Sequence, residues 1–193
     1  MKGKDCVSVA RGVELVNLQK RYRVQTASLL AFALDLKRRL PLGKRKFNIC
    51  FVDDNAIRNL NLAFRGQDKP TDVLSFPWNE AGGAPPLEAR LRSHRGGQHG
   101  ITDFLGDVVI SVQTAGRNAG AEGHSTLSEI RWLILHGVLH LLGYDHEHDT
   151  GEMMSLELAL REQLGVAGRP ALIRQVKRQN AKVKRQSPGR LNF

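Results

Sequence analysis

Residues 126–146 read TLSEIRWLILHGVLHLLGYDH, and this stretch carries the strongest structural signal in the chain. From Trp132 to Leu142, every position that is not histidine or glycine holds a large apolar residue. A helix formed by such a sequence is buried on nearly all sides. The stretch therefore predicts a central helix that ends near Leu142, where Gly143 permits a left-handed turn.

Three histidines lie in this stretch. His136 and His140 are four residues apart, so on a helix they project from one face and can hold one metal ion. The turn at Gly143 can bring His146 to the same point. Imidazoles in an apolar helix lose hydration, and metal ligation compensates for that loss, whereas histidine pairs on solvated helices usually bind no metal.

The ligand set indicates chemistry rather than structural support. Structural zinc sites usually close with four protein ligands, whereas three histidines with an open fourth position can activate water. We predict that the three histidines bind zinc, although nickel, copper and iron also suit imidazole. Asp145, Glu147 and Asp149 are candidates to accept hydrogen bonds from the outward ring nitrogens. His94, His99, His124 and His148 are predicted not to be ligands.

Composition predicts one domain. A chain of 193 residues with 41% hydrophobic content can bury one substantial core. Cys6 and Cys50 are in no zinc or redox spacing, and we interpret both as small buried residues. No apolar stretch is long enough for a signal peptide or a membrane span, so we predict a cytoplasmic protein.

Positive charge is concentrated at the carboxyl end. The chain has 29 basic and 19 acidic residues, a net charge of +10, and residues 166–193 contribute +8 of it, leaving +2 for residues 1–165. We predict a folded domain at 1–165 and a basic, disordered tail at 166–193 that contacts phosphates; a solvated extension that serves solubility alone is the alternative. The basic residues of the tail are Arg169, Arg174, Lys177, Arg178, Lys182, Lys184, Arg185 and Arg190.

Periodicity predicts an α+β fold. Strands are expected at 7–10, 47–52, 72–76 and 105–112, and helices at 24–40, 54–64, from about 113 with interruptions near Gly120 and Gly123, at 126–142 and at 150–164. Asp53 or Asp54 is expected to cap the second helix, and Thr126 or Ser128 to start the helix of the histidines. Residues 79–102 are expected to form a mobile loop. We predict a small mixed sheet of about four strands, packed on one side by helices, with the metal site open to a groove.

Several ordered motifs identify a resemblance. NLAFRG at 61–66, PTDVLSFP at 70–77 and LGDVVIS at 105–111 precede HGVLHLLGYDH at 136–146. Together they resemble the YbeY family, bacterial metal-dependent endoribonucleases of ribosomal RNA maturation, over residues 47–165. The resemblance implies zinc held at His136, His140 and His146, a catalytic arginine at Arg65, single-stranded RNA as substrate, and the small ribosomal subunit as partner.

The residue after the first histidine bears on the reaction. Helical zinc proteases place a glutamate there as general base, and this chain has Gly137. Peptide cleavage is therefore the second choice. Phosphodiester cleavage needs a cation to offset charge on the phosphoryl oxygens, and Arg65 has suitable planar donors; the alternative is a surface arginine paired with Asp68 or Asp72.

The predicted function is zinc-dependent cleavage of single-stranded ribosomal RNA, in processing of the small-subunit 3′ end and in ribosome quality control. An assembly factor with a structural metal and no nuclease activity, and a zinc protease, are the alternatives. Thr71 and Ser75 are expected to face a substrate along an edge strand.

Overall fold

The computed structural model describes residues 6–78, 103–144 and 151–166, and within these ranges the chain forms five strands and five helices. In chain order the elements are β1 (Cys6–Ala10), β2 (Val13–Asn17), α1 (Thr26–Arg39), β3 (Lys46–Val52), α2 (Asp54–Arg65), β4 (Val73–Pro77), β5 (Phe104–Ser111), α3 (Val112–Glu122), α4 (Thr126–Leu141) and α5 (Glu152–Gln163). The predicted loop at 79–102, and the tail apart from Val166, lie outside the described residues.

One mixed sheet has the strand order β1-β2-β3-β5-β4. The β2–β3 and β3–β5 pairs are parallel, and the β1–β2 and β4–β5 pairs are antiparallel. The α+β class is confirmed, with one strand more than the approximately four expected. The additional strand is β2, which follows β1 through a tight turn at Arg11 and Gly12, with φ of 45° and 80°. Arginine is unusual in such a turn, so residues 11 and 12 carry no hairpin signal.

Helices cover both faces of the sheet, so the expectation of helices on one side was wrong. The buried strands β3 and β5 alternate between two apolar clusters. Ile49 and Phe51 face the main core, which contains residues of α1 and α4. Cys50 and Val52 face the other way and pack with Ile57 of α2. Parallel strands buried on both faces need helices on both faces, which is the physical reason for the difference. Cys50 is buried, as predicted.

Helix boundaries differ slightly from expectation. Helix α4 begins at Thr126, one of the two predicted starting residues, and Ser125 caps it, because the Ser125 side chain accepts a hydrogen bond from the Ser128 amide. Helix α3 continues through Gly120 and ends before Gly123, whose φ is 74°. Asp53 caps α2, as predicted. None of the described helices is both long and apolar enough to cross a bilayer.

Candidate functional site

Helix α4 lies against β4 and β5 with almost no space between the helix and the sheet. A Cβ atom added at Gly137 would lie 2.5 Å from Val108 Cγ1 and 3.1 Å from Ser75 Oγ. The Ser75 hydroxyl donates to the Gly137 carbonyl oxygen over 3.2 Å. Glycine is therefore required here for close packing, and the position has no room for the glutamate that a helical zinc protease carries.

The imidazoles of His136 and His140 meet at the carboxyl-terminal end of α4. Their Nε2 atoms are 3.1 Å apart, and both side chains are partly buried. Two nitrogens bound to one tetrahedral zinc, at 2.0–2.1 Å each, lie about 3.3 Å apart. The pair therefore fits two positions of a zinc site. The predicted third ligand, His146, lies in the undescribed stretch 145–150, and no third ligand-type residue joins the pair within the described ranges.

Glu157 of α5 lies behind His136. Glu157 is buried, with 5% of its surface exposed. Its carboxylate lies 3.3 Å from His136 Nδ1 and also accepts a hydrogen bond from Trp132 Nε1. The Trp132 and His136 rings stack with centroids 5.1 Å apart. Arg161 Nε lies 3.7 Å from Oε1 of the same carboxylate. A carboxylate at Nδ1 leaves Nε2 as the nitrogen that faces the cleft.

Sequence reasoning missed this contact. The expected partners, Asp145, Glu147 and Asp149, lie outside the described residues. The available signal was a carboxylate on the apolar face of α5, one turn after Met153 and one turn before Leu160, both of which are buried. A charged residue at a core position requires a partner, so Glu157 could have been nominated.

A cleft of about 420 Å³ joins the histidines to Arg65. Arg65 is the last residue of α2, which ends at the left-handed Gly66 with φ of 67°. The predicted turn at Gly143 is present, with φ of 89°. The edge strand β4 forms one wall of the cleft. The lining includes Arg65, Thr71, Asp72, Ser75, His136, His140 and Tyr144.

Arg65 pairs with neither of its predicted acidic partners, Asp68 and Asp72. Asp68 pairs instead with Arg58, whose Nε and Nη2 donate over 2.6 and 2.7 Å, and this hydrogen bonding lowers the pKa of Asp68. Asp72 accepts hydrogen bonds from the Val73 amide and from Asn118 Nδ2. Arg65 is exposed and forms no ion pair with any residue that the structure describes.

The sequence matches a known family over most of its length. The family model described as Endoribonuclease YbeY matches residues 13–165. The chain belongs to the YbeY family. The match begins well before residue 47, where the motif resemblance started, and it contains Arg65, His136, His140 and Glu157.

Curated YbeY endoribonucleases are similar to this chain. The protein of Desulforamulus reducens is 47% identical over 120 residues, which are 61% of this chain and 71% of the relative. That of Aquifex aeolicus is 41% identical over 133 residues, which are 69% of this chain and 77% of the relative. The solution structure of TM1509 from Thermotoga maritima aligns with a TM-score of 0.53 at 24% identity, covering 79% of this chain and 88% of that one. This last likeness supports the fold.

Proposed function

We propose that this YbeY family member is a zinc-dependent endoribonuclease that cleaves single-stranded RNA during ribosomal RNA maturation. The observation that carries the proposal is the shared cleft. An exposed arginine without an ion partner among the described residues lines the same cleft as the paired Nε2 atoms of His136 and His140. The similar curated proteins are named endoribonucleases.

The chain's own residues suit a zinc ion. His136 and His140 present two nitrogens at a suitable spacing, and His146 would supply the third ligand. Glu157 orients His136 by accepting a hydrogen bond from its Nδ1. A zinc ion bound here would polarise a phosphoryl oxygen or lower the pKa of a water molecule.

Arg65 supplies the charge that phosphodiester cleavage requires. Its guanidinium can donate two parallel hydrogen bonds to phosphoryl oxygens as negative charge increases on them. The Ser75 hydroxyl donates to the Gly137 carbonyl, so its proton is already used within the protein. Thr71 Oγ1 likewise donates to Asp72 Oδ1, over 3.3 Å. Tyr144 is the remaining hydroxyl side chain of the cleft lining, and we assign it to substrate contacts.

RNA is favoured over a peptide because the helix has no general base where proteases carry one. Gly137 is buried against Val108, and a longer side chain would clash. The small ribosomal subunit as partner and the cytoplasm as location are part of this proposal.

Cleavage of a defined single-stranded RNA by protein of measured zinc content tests the proposal. Arg65→Ala is expected to lower the cleavage rate by roughly 10²–10³-fold with unchanged zinc content, because it removes transition-state charge stabilisation. His140→Ala should lose both zinc and activity. Arg23→Ala, at an exposed position between β2 and α1 that does not line this cleft, is the matched control and should cleave normally.

The RNA is also offered as a duplex, which the proposal expects to be spared. Cleavage that persists equally in Arg65→Ala and His140→Ala would come from a contaminant. In that case the nuclease proposal fails, and an assembly factor with a structural metal becomes the better account.

A further inference from the structure

A second cleft, of about 710 Å³, lies at the amino-terminal ends of the parallel strands β2 and β3. Its walls come from the β1–β2 turn, the last turn of α1 and the connection from α1 to β3. Five cations and one carboxylate line it, a net charge of +4. Since residues 1–165 carry only +2 in total, the rest of the domain has a net charge of −2. The charged residues are Arg11, Lys37, Arg38, Lys44, Lys46 and Asp103.

The turn residue Arg11 contributes to this charge at a conformational cost. It has a φ of 45°, in the left-handed region where asparagine, aspartate and glycine are preferred in two-residue hairpins. An arginine at this position keeps a cation beside the cleft where the turn itself favours a smaller residue. The charge is therefore not explained by the requirements of the hairpin.

Lys37 holds the walls of the cleft together. Its Nζ donates to the Arg11 carbonyl over 2.9 Å and to the Arg45 carbonyl over 2.6 Å, which links the hairpin turn to the α1–β3 connection. Burial and the nearby charge of Lys46 lower the pKa of Lys37. The cations thus repel one another, and a bound anion would reduce this repulsion.

This second cleft, the basic cleft, is separate from the cleft that Arg65, His136 and His140 line, which we call the catalytic cleft. The catalytic cleft follows the outer strand β4 and the end of α4, and no described residue lines both clefts. Arg39, next to the basic cleft on α1, contacts Gln163 at the end of α5 through Nη1 and Oε1, 3.4 Å apart. The carboxyl-terminal end of α5 therefore lies close to this side of the domain.

We propose that the basic cleft binds the sugar-phosphate backbone of the RNA substrate at a distance from the scissile bond. An open cleft with cations from three separate chain segments suits an extended polyanion, which can contact several of them in succession. This inference rests on the proposed function, because it names the binding site of the same substrate outside the catalytic cleft.

The test removes Lys44 and Lys46 together. Both side chains are exposed, and neither forms an ion pair or a hydrogen bond with any described residue, so Lys44→Ala/Lys46→Ala should fold normally. Lys20→Ala/Arg23→Ala removes the same charge from exposed positions between β2 and α1 and is the matched control. Both pairs are made with His140→Ala, which is expected to prevent cleavage, and RNA binding is measured by fluorescence anisotropy at several KCl concentrations.

If both lysines contact phosphates, the slope of log Kobs against log [KCl] becomes shallower by about 1.4, that is, about 0.7 for each lost contact to single-stranded RNA. The control should keep the wild-type slope. An unchanged slope overturns the proposal, and so does an equal change in both variants, which would reflect net charge alone. Inorganic phosphate that shifts the NMR signals of the two lysines while the RNA slope stays unchanged would indicate a small-anion site, and also overturns it.

Cleavage by the protein with His140 intact separates this proposal from the proposed function. If that protein cleaves RNA but the slope does not change, only the basic cleft is refuted. If the slope changes but zinc-loaded protein does not cleave, RNA binding at the cleft stands and the nuclease activity is refuted.

Discussion

Gly137→Ala tests whether the close contact between α4 and the sheet is necessary. The added Cβ would lie 2.5 and 3.0 Å from the two γ-carbons of Val108 and 3.1 Å from Ser75 Oγ. Val108 is a fully buried, β-branched residue in the central strand β5, so it cannot rotate away easily. The helix, the strand or both must shift.

The magnitude follows from two opposing effects. Replacing glycine with alanine inside a helix favours folding by about 1 kcal/mol. Inserting a methyl group into a packed core usually costs about 1–3 kcal/mol. Gly120→Ala, in α3, provides the matched control because its added Cβ meets no atom within 4 Å. The difference in free energy of unfolding between the two variants isolates the packing cost. We expect Gly137→Ala to be less stable than Gly120→Ala by about 1–3 kcal/mol.

Urea denaturation gives the free energy of unfolding of each variant, and competition with a chelator gives its zinc affinity. We expect weaker zinc binding in Gly137→Ala, since the residue lies between the two histidines on the displaced helix. Gly137→Ala/Val108→Ala should recover part of the zinc affinity because it removes the clashing γ-carbons. If Gly137→Ala gains as much stability as Gly120→Ala, the argument that this glycine is required for packing is refuted.

Three further predictions concern other parts of the domain. Glu157→Gln should weaken zinc binding about 10–100-fold, measured by chelator competition, because His136 loses its carboxylate partner; Glu162→Gln, exposed on the same helix, should bind normally. Asp54 is partly buried, which opposes ionisation, but hydrogen bonds from Arg117 and two hydroxyl groups outweigh burial and lower its pKa below 3.8. Its stabilisation is therefore present above that pH and lost as the pH falls through the folded-state value, so Asp54→Asn should cost about 1–2 kcal/mol at pH 7 and progressively less in acid, measured by urea denaturation. Deletion from Ala167 onward should leave zinc content unchanged while weakening RNA binding and its salt dependence, measured by anisotropy; the cut spares Val166, which is buried.

Much of the fold could be predicted because its signals are local. The buried helix α4, the left-handed turn at Gly143 and the strand β3 all follow from short-range patterns of apolar residues and glycine. Strand β2 was missed because its turn carries arginine rather than asparagine, and the helix on the second face was missed because runs of apolar residues do not show which helix covers which side.

The sequence by itself determined the spacing of His136 and His140, the buried helix that carries them and the concentration of charge in the tail, since these depend only on neighbouring residues. Only the tertiary structure decided that Glu157 lies against His136 Nδ1 and that Asp68 pairs with Arg58, not with Arg65. Likewise, only the tertiary structure shows that position 137 requires glycine because a strand packs against it. Each of these depends on contacts between segments distant in the chain or on competition among several possible partners. Local periodicity cannot specify such choices, because they are fixed by how the elements pack.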